Sequence, residues 1–151
     1  MKTLQILLTL MALIFLISCS PGNNTSQNNQ DVNFNKISTS GSIDQTAANQ
    51  AKEKVSRHDS VTAVNAVNTD KKLIIAFEIE HNKRFQLADI GKKIQKEMEK
   101  KFSGHKVEVS TDKRLVFDIS KLEERIARND ISSKNLKKEV NRLIKLMKDK
   151  T

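Results

Sequence analysis

The 151-residue chain contains one cysteine, one proline, four glycines, and neither tryptophan nor tyrosine. A lone thiol excludes a disulfide framework and any cysteine-rich zinc site. No apolar run reaches the roughly twenty residues of a bilayer-spanning helix, which excludes a multi-span membrane protein. The glycines form neither a GxGxxG nor a GxxxxGK loop, so no phosphate-cradling motif is present. The length suits one ordinary domain and is too short for a two-lobed solute receptor. What the chain has in excess is positive charge. Lysine plus arginine number 27 against 18 acidic residues, a net charge of +9.

The N-terminal segment has its own logic. Lys2 precedes an apolar stretch, Leu4 to Ile17, which ends in Leu16-Ile17-Ser18-Cys19. The stretch has the length of an export-signal core. An aliphatic residue, two small or apolar residues and then cysteine is the pattern of a bacterial lipobox. The sole thiol falls where that chemistry needs one. A diacylglyceryl group is placed on the Cys19 sulfur, and cleavage between Ser18 and Cys19 makes Cys19 the mature N-terminus, open to a further acyl chain such as palmitate. Each buried CH₂ contributes about 0.8 kcal/mol, so two or three chains anchor stably. Residues 1–18 are therefore read as a lipoprotein signal peptide. Residues 19–42 are read as the lipidated cysteine and a disordered polar spacer, rich in asparagine and poor in apolar residues. Residues 43–151 are read as one domain.

Within that domain, Ser42 and Gln45 have capping-box spacing. Ile43, Ala47, Ala51 and Val55 recur every four residues, which predicts a helix over 43–58. The valine-rich stretch 61–68, a turn at Asn68-Thr69-Asp70-Lys71, and alternation through Leu73, Ile75, Phe77 and Ile79 predict a hairpin, 61–68 with 72–80. In this reading the second strand has one apolar face and Phe77 lies in the core. Leu87, Ile90, Ile94 and Met98 predict an amphipathic helix over 86–102, interrupted by Gly91 and closed by Ser103-Gly104. Val107 and Val109 mark a third strand. The next segment is two-sided: Leu115, Ile119, Leu122 and Ile126 fit a helix, while Leu115, Phe117 and Ile119 fit a strand followed by a capping box at Ser120–Glu123. Leu136, Val140, Leu143, Ile144 and Met147 predict a last helix over 133–149. The fold class is α+β: a small α-β-β-α-β domain with a three-stranded sheet and two helices on one face, followed by C-terminal amphipathic helices.

Residues that could carry chemistry are few. His58, His81 and His105 have no metal-ligand spacing, and a zinc site needs three or four convergent ligands. His58-Asp59-Ser60 holds the residue types of a catalytic triad, but adjacent residues cannot form the relay. Glu78 and Glu80 share a strand face that reads as solvated. No catalytic residue, metal site, cofactor or small-molecule substrate is expected. The charge instead suggests a binding partner. Residues 112–151 carry 12 basic and 7 acidic groups, and the last helix presents Lys134, Lys137, Lys138, Arg142, Lys145 and Lys148 opposite its apolar stripe. Such a face suits anionic lipid or an acidic envelope protein. Nucleic acid is not expected, because the chain reads as exported and lacks the tryptophan and tyrosine that stack on bases.

The lipobox, the polar spacer and an alanine-rich helix precede Val61-Thr62-Ala63-Val64, Leu73-Ile74-Ile75-Ala76-Phe77 and Val107-Glu108-Val109-Ser110-Thr111-Asp112. In this combination the chain resembles the YhcN/YlaJ sporulation lipoproteins of endospore-forming bacteria over about residues 40–147. Where relatives often have a Gly-Asn hairpin turn, this chain has Asn68-Thr69-Asp70-Lys71. The resemblance tips residues 112–128 toward helix. It implies a non-enzymatic protein, lipid-anchored on the outer face of the cytoplasmic membrane, in the forespore or spore inner membrane, and serving sporulation, germination or outgrowth. The alternative is an adaptor domain that joins an envelope complex through its sheet edge or C-terminal helix. A small wall hydrolase would need a cleft with convergent acid and base groups.

Overall fold

The computed structural model describes residues 32–37 and 43–149. Helix α1 (Thr46–Ser56) leads into β1 (Val61–Asn68) and β2 (Lys72–Ile79). A 3-10 helix (His81–Gln86) then enters α2 (Leu87–Lys101), followed by β3 (Lys106–Ser110), α3 (Lys113–Ala127) and α4 (Ser133–Asp149). The order α-β-β-α-β-α-α around a three-stranded mixed sheet is the expected α+β class. β1 and β2 are antiparallel, β2 and β3 parallel, and the strand order is β1-β2-β3.

β2 is the central strand, and this changes its reading. Alternation sends Leu73, Ile75 and Phe77 to one face of the sheet and Ile74 and Ala76 to the other. All five are fully buried. The first set packs with Ala48, Ala51 and Val55 of α1 and with Ile94 and Met98 of α2. The second packs with Leu115, Val116 and Ile119 of α3 and with Leu136, Val140 and Leu143 of α4. The sheet thus lies between two helix pairs. The expected pair sits on one face, and the C-terminal helices cover the other. The sequence reading gave β2 one apolar face; it has two because α3 and α4 fold back over it.

Residues 113–127 are helical, so the strand alternative falls. The side chain of Asp112 accepts from Arg114 N–H at 2.8 Å and starts this helix. Its end is closed by Asn129 in the left-handed region, φ 56°. The Asp130 N–H returns to Arg125 C=O and the Asn129 N–H to Ile126 C=O, a Schellman closure. With the helix continuous here, Ser120 and Glu123 are interior residues and form no capping box.

The start of α1 also differs from expectation. Ser42 lies outside the described residues, and the Gln45 side chain does not bond the helix end. Gln45 instead bonds Asn68, the last residue of β1: its Nε2 donates to Asn68 C=O at 2.8 Å, and its Oε1 accepts from Asn68 N–H at 3.1 Å. Asn68 Oδ1 in turn accepts from Ala48 N–H at 2.9 Å, satisfying a first-turn donor of α1. Asp44 Oδ1 accepts from Thr46 N–H at 2.8 Å, so the helix start is capped both locally and from twenty residues away. Gly91 needs no special space, since a Cβ there would meet Thr111 Cγ2 at an ordinary 3.7 Å.

Candidate functional site

The proposed anchor residues, Ser18 and Cys19, lie outside the described residues. Part of the spacer, however, is placed. Asn33 forms a parallel bridge with Ala63 of β1; its N–H donates to Thr62 C=O at 3.0 Å and its C=O accepts from Val64 N–H at 3.3 Å. Ile37 is buried against the α3–α4 core, and Asn49 brackets its backbone, accepting from Ile37 N–H at 2.9 Å and donating to Ile37 C=O at 2.7 Å. Residues 32–37 therefore belong to the folded unit, which corrects the reading of 19–42 as wholly unstructured. The few apolar residues gave no sustained period, because an edge-docked segment is held by Val32, Phe34 and Ile37 and by backbone bonds.

The same edge of β1 holds a buried ion pair. Lys52, on α1, is fully buried, and its Nζ reaches Glu123 Oε1 of α3 at 2.8 Å. Lys52 also donates to Asn35 C=O. Glu123 Oε1 accepts in addition from Ala66 N–H at 3.0 Å, a donor on the outer edge of β1. Two helices from opposite faces of the sheet thus join around its edge and hold the docked segment. Burial lowers the Lys52 pKa and raises that of Glu123; each charge opposes the shift in the other. Sequence reading missed this pair. A signal was present: Lys52 falls between Ala48 and Val55, and Glu123 between Ile119 and Ile126, so each charge interrupts a buried stripe.

The six basic side chains of α4 are all exposed. Lys137 reaches Asp70 in the hairpin turn at 3.2 Å, Arg142 reaches Glu139 at 2.9 Å, and Lys148 reaches Glu108 at 3.7 Å. Lys134, Lys138 and Lys145 have no partner among the described residues. At about 100° per residue these three fall within roughly 40° of one another, a single cationic stripe. Leu136, Val140, Leu143, Ile144 and Met147 are buried beneath it.

Ionisable side chains also meet elsewhere in the domain. His58 Nε2 lies 3.0 Å from Glu97 and Lys54 Nζ 2.9 Å from the same carboxylate. The Lys54 hydrogen bond is the main cause of the lowered Glu97 pKa. This long-range grouping was not visible in local spacing. Glu78 lies 3.8 Å from Lys113. No cluster of three or more metal-ligating side chains occurs among the described residues. A cleft of about 690 Å³ runs beside β3, between α2 and α3, lined by Leu87, Gly91, Gln95, Val109, Leu115 and Met147 among others. Gln95 crosses it to donate to Val107 C=O at 2.9 Å.

These features define a small helix-covered α+β domain with an N-terminal segment bound to one sheet edge and a cationic outer helix. No described helix is long and apolar enough to cross a membrane. The chain belongs to the family of sporulation lipoproteins YhcN/YlaJ, which it matches over residues 20–148. Membership makes it a lipoprotein of a sporulation family. No curated protein and no solved structure matches it.

Proposed function

We propose that this is a non-enzymatic, lipid-anchored protein of the spore envelope that contributes to sporulation, germination or outgrowth. Family membership over residues 20–148 carries the reading. Cys19 bears the diacylglyceryl group and becomes the mature N-terminus. The domain then stands on the outer face of the cytoplasmic membrane, in the forespore or spore inner membrane. It acts by contact rather than turnover, and Lys134, Lys138 and Lys145 form the centre of a surface for anionic lipid or an acidic partner. No cofactor, small-molecule substrate or nucleic acid takes part.

The test is Cys19→Ser, which leaves an unprocessed precursor or releases the domain from membranes. Mass spectrometry of the wild-type protein with an intact Met1 terminus and unmodified thiol would sink the anchor assignment. A tagged copy expressed uniformly in growing cells counts against the spore assignment. Glu78, Glu80, His58 and His105 changed singly leave the cellular phenotype intact.

One observation favours the adaptor reading. α4 begins at the hairpin turn, where Lys137 meets Asp70, whereas the docked segment joins the start of β1 at the opposite end of the sheet. A cationic stripe starting far from the tether suits a protein of the envelope. Crosslinking from Lys138 that yields one discrete protein partner supports it; a ladder of lipid adducts alone opposes it.

A further inference from the structure

We infer that the domain meets the bilayer with the end of its sheet where the tether arrives, seating Phe117 and Phe85 at the boundary between headgroups and acyl chains. This rests on the lipid-anchor reading and adds the face that the anchor presents.

The geometry begins with the docked segment. Asn33 is fixed beside Thr62–Val64, at the start of β1. Twelve residues, 20–31, separate Cys19 from Val32. Fully extended, that stretch spans at most about 45 Å. The hairpin turn at the other end of β1 lies roughly 20 Å farther along the strand. The tether thus enters the domain at the start of β1, the end from which it is shortest.

Among the described residues two large apolar side chains are exposed, Phe85 at 79% and Phe117 at 61%. Both lie at this end. Phe85 is in the 3-10 helix directly after β2, whose exit is tied to the approach to β1 by the bond from Glu80 N–H to Ser60 C=O at 2.9 Å. Phe117 is in the first half of α3 and lines a groove together with Asn33, Phe34 and Asn35. Scattered exposed phenylalanines would call for no explanation, but here both mark the end where the anchored chain joins.

Their surroundings suit a lipid interface. Lys121 Nζ sits 5.5 Å from the centre of the Phe117 ring, and Lys113 stands one turn earlier on the same helix. Lys83 and Arg84 precede Phe85. A ring can enter the acyl boundary while the long cationic side chains extend to the headgroups. Glu78, Glu80, Asp112 and Asp118 lie on the same end, so its charges nearly cancel. Apolar insertion therefore holds this face, and its contact is far less sensitive to salt than one made by the α4 stripe.

The full chain is the material for the test. Once Cys19 is lipidated its sulfur is a thioether, so one introduced cysteine is the sole free thiol. Ser120→Cys, Gln86→Cys and Lys138→Cys proteins are labelled with an environment-sensitive fluorophore. They are reconstituted in vesicles of phosphatidylglycerol and phosphatidylethanolamine carrying spin-labelled lipid. The expected result is quenching and a blue shift at Ser120 and Gln86, neither at Lys138, and little change with salt. Phe117→Ser with Phe85→Ser abolishes the quenching at Ser120 while the protein still floats with the vesicles. Quenching at Lys138 without quenching at Ser120 and Gln86 overturns the inference in favour of α4. No quenching at any position, with the protein still afloat, overturns it and leaves the anchor reading standing. Failure to float removes the anchor reading itself, and the inference with it.

Discussion

The two outer edges of the sheet are finished differently. Along β1, the N–H groups of Val64, Ala66 and Asn68 all find partners outside the sheet: Asn33 C=O, Glu123 Oε1 and Gln45 Oε1. Along β3, which among the described residues also has no neighbouring strand on its outer side, Gln95 covers Val107 C=O and a cleft runs alongside. An unpaired edge is a template for another chain. The contrast teaches that one edge is closed by groups drawn from distant parts of the molecule, while the other is left to a short five-residue strand between helices. Closure at β1 comes with a buried charge pair; beside β3 the described residues leave a cleft.

The largest expected effects sit at the central strand and the closed edge. Phe77→Ala, in the strand shared by both edges, should cost about 3–5 kcal/mol in urea unfolding. A cost below about 1 kcal/mol would place Phe77 outside the core. Glu123→Ala should cost a comparable amount, about 3–5 kcal/mol, because it strands the Lys52 ammonium and the Ala66 N–H. Lys52→Met with Glu123→Gln should recover most of that loss, since the amide oxygen still serves Ala66 and no buried charge remains. If the double variant is as unstable as Glu123→Ala, the edge is held by charge attraction rather than by filling and hydrogen bonding.

The same pair predicts a pH dependence. Burial raises the Glu123 pKa, so between its ordinary value of about 4.3 and the raised one the folded chain binds more protons than the unfolded chain. Stability from this group therefore falls as pH rises through that window. Lys52 acts oppositely at the alkaline side: its lowered pKa makes stability rise as pH climbs from the lowered value toward about 10.4. The Lys52→Met, Glu123→Gln double variant should flatten both slopes in unfolding curves taken across pH. Unchanged slopes would assign them to other groups.

Smaller effects test the docked segment and the open edge. Asn49→Ala removes both bonds to the Ile37 backbone and should cost about 1–2 kcal/mol, with faster proteolysis near residues 32–37. Unaltered proteolysis would mean that backbone pairing with β1 suffices to hold the segment. Gly91→Ala, beside the open edge, should stabilise by about 0.5–1 kcal/mol, because the position is helical and the added methyl meets only Thr111. Destabilisation there would show that the cleft beside β3 is already packed tightly.

Legibility in the sequence followed the range of the interactions. The hairpin and the helix over 133–149 were readable because alternation and a four-residue stripe are local properties. The second buried face of β2 was not, because whether Ile74 and Ala76 meet water or a helix depends on chain some forty residues later. The α1 cap from Asn68 spans 20 residues and the Lys52–Glu123 pair 71, both beyond the reach of a local pattern. At the candidate site, the cationic stripe of α4 was legible as composition. Which lysines already had partners was not: Lys137 is tied to Asp70, while Lys134, Lys138 and Lys145 stand clear of the described residues. Phe117 shares the apolar face only in the strand alternative; the helix stripe of Leu115, Ile119, Leu122 and Ile126 leaves it off, and the fold places it outside.

The junction of Lys52, Asn35 and Glu123 has a mechanical consequence. In a chain anchored at its N-terminus, tension along the tether enters the described domain at residue 32. Because residues 32–37 run alongside β1 and are gripped by two helices from opposite faces, that load spreads across the β1 edge instead of falling directly on the first turn of α1. The docked segment is a strain relief, like the collar where a cable enters its housing.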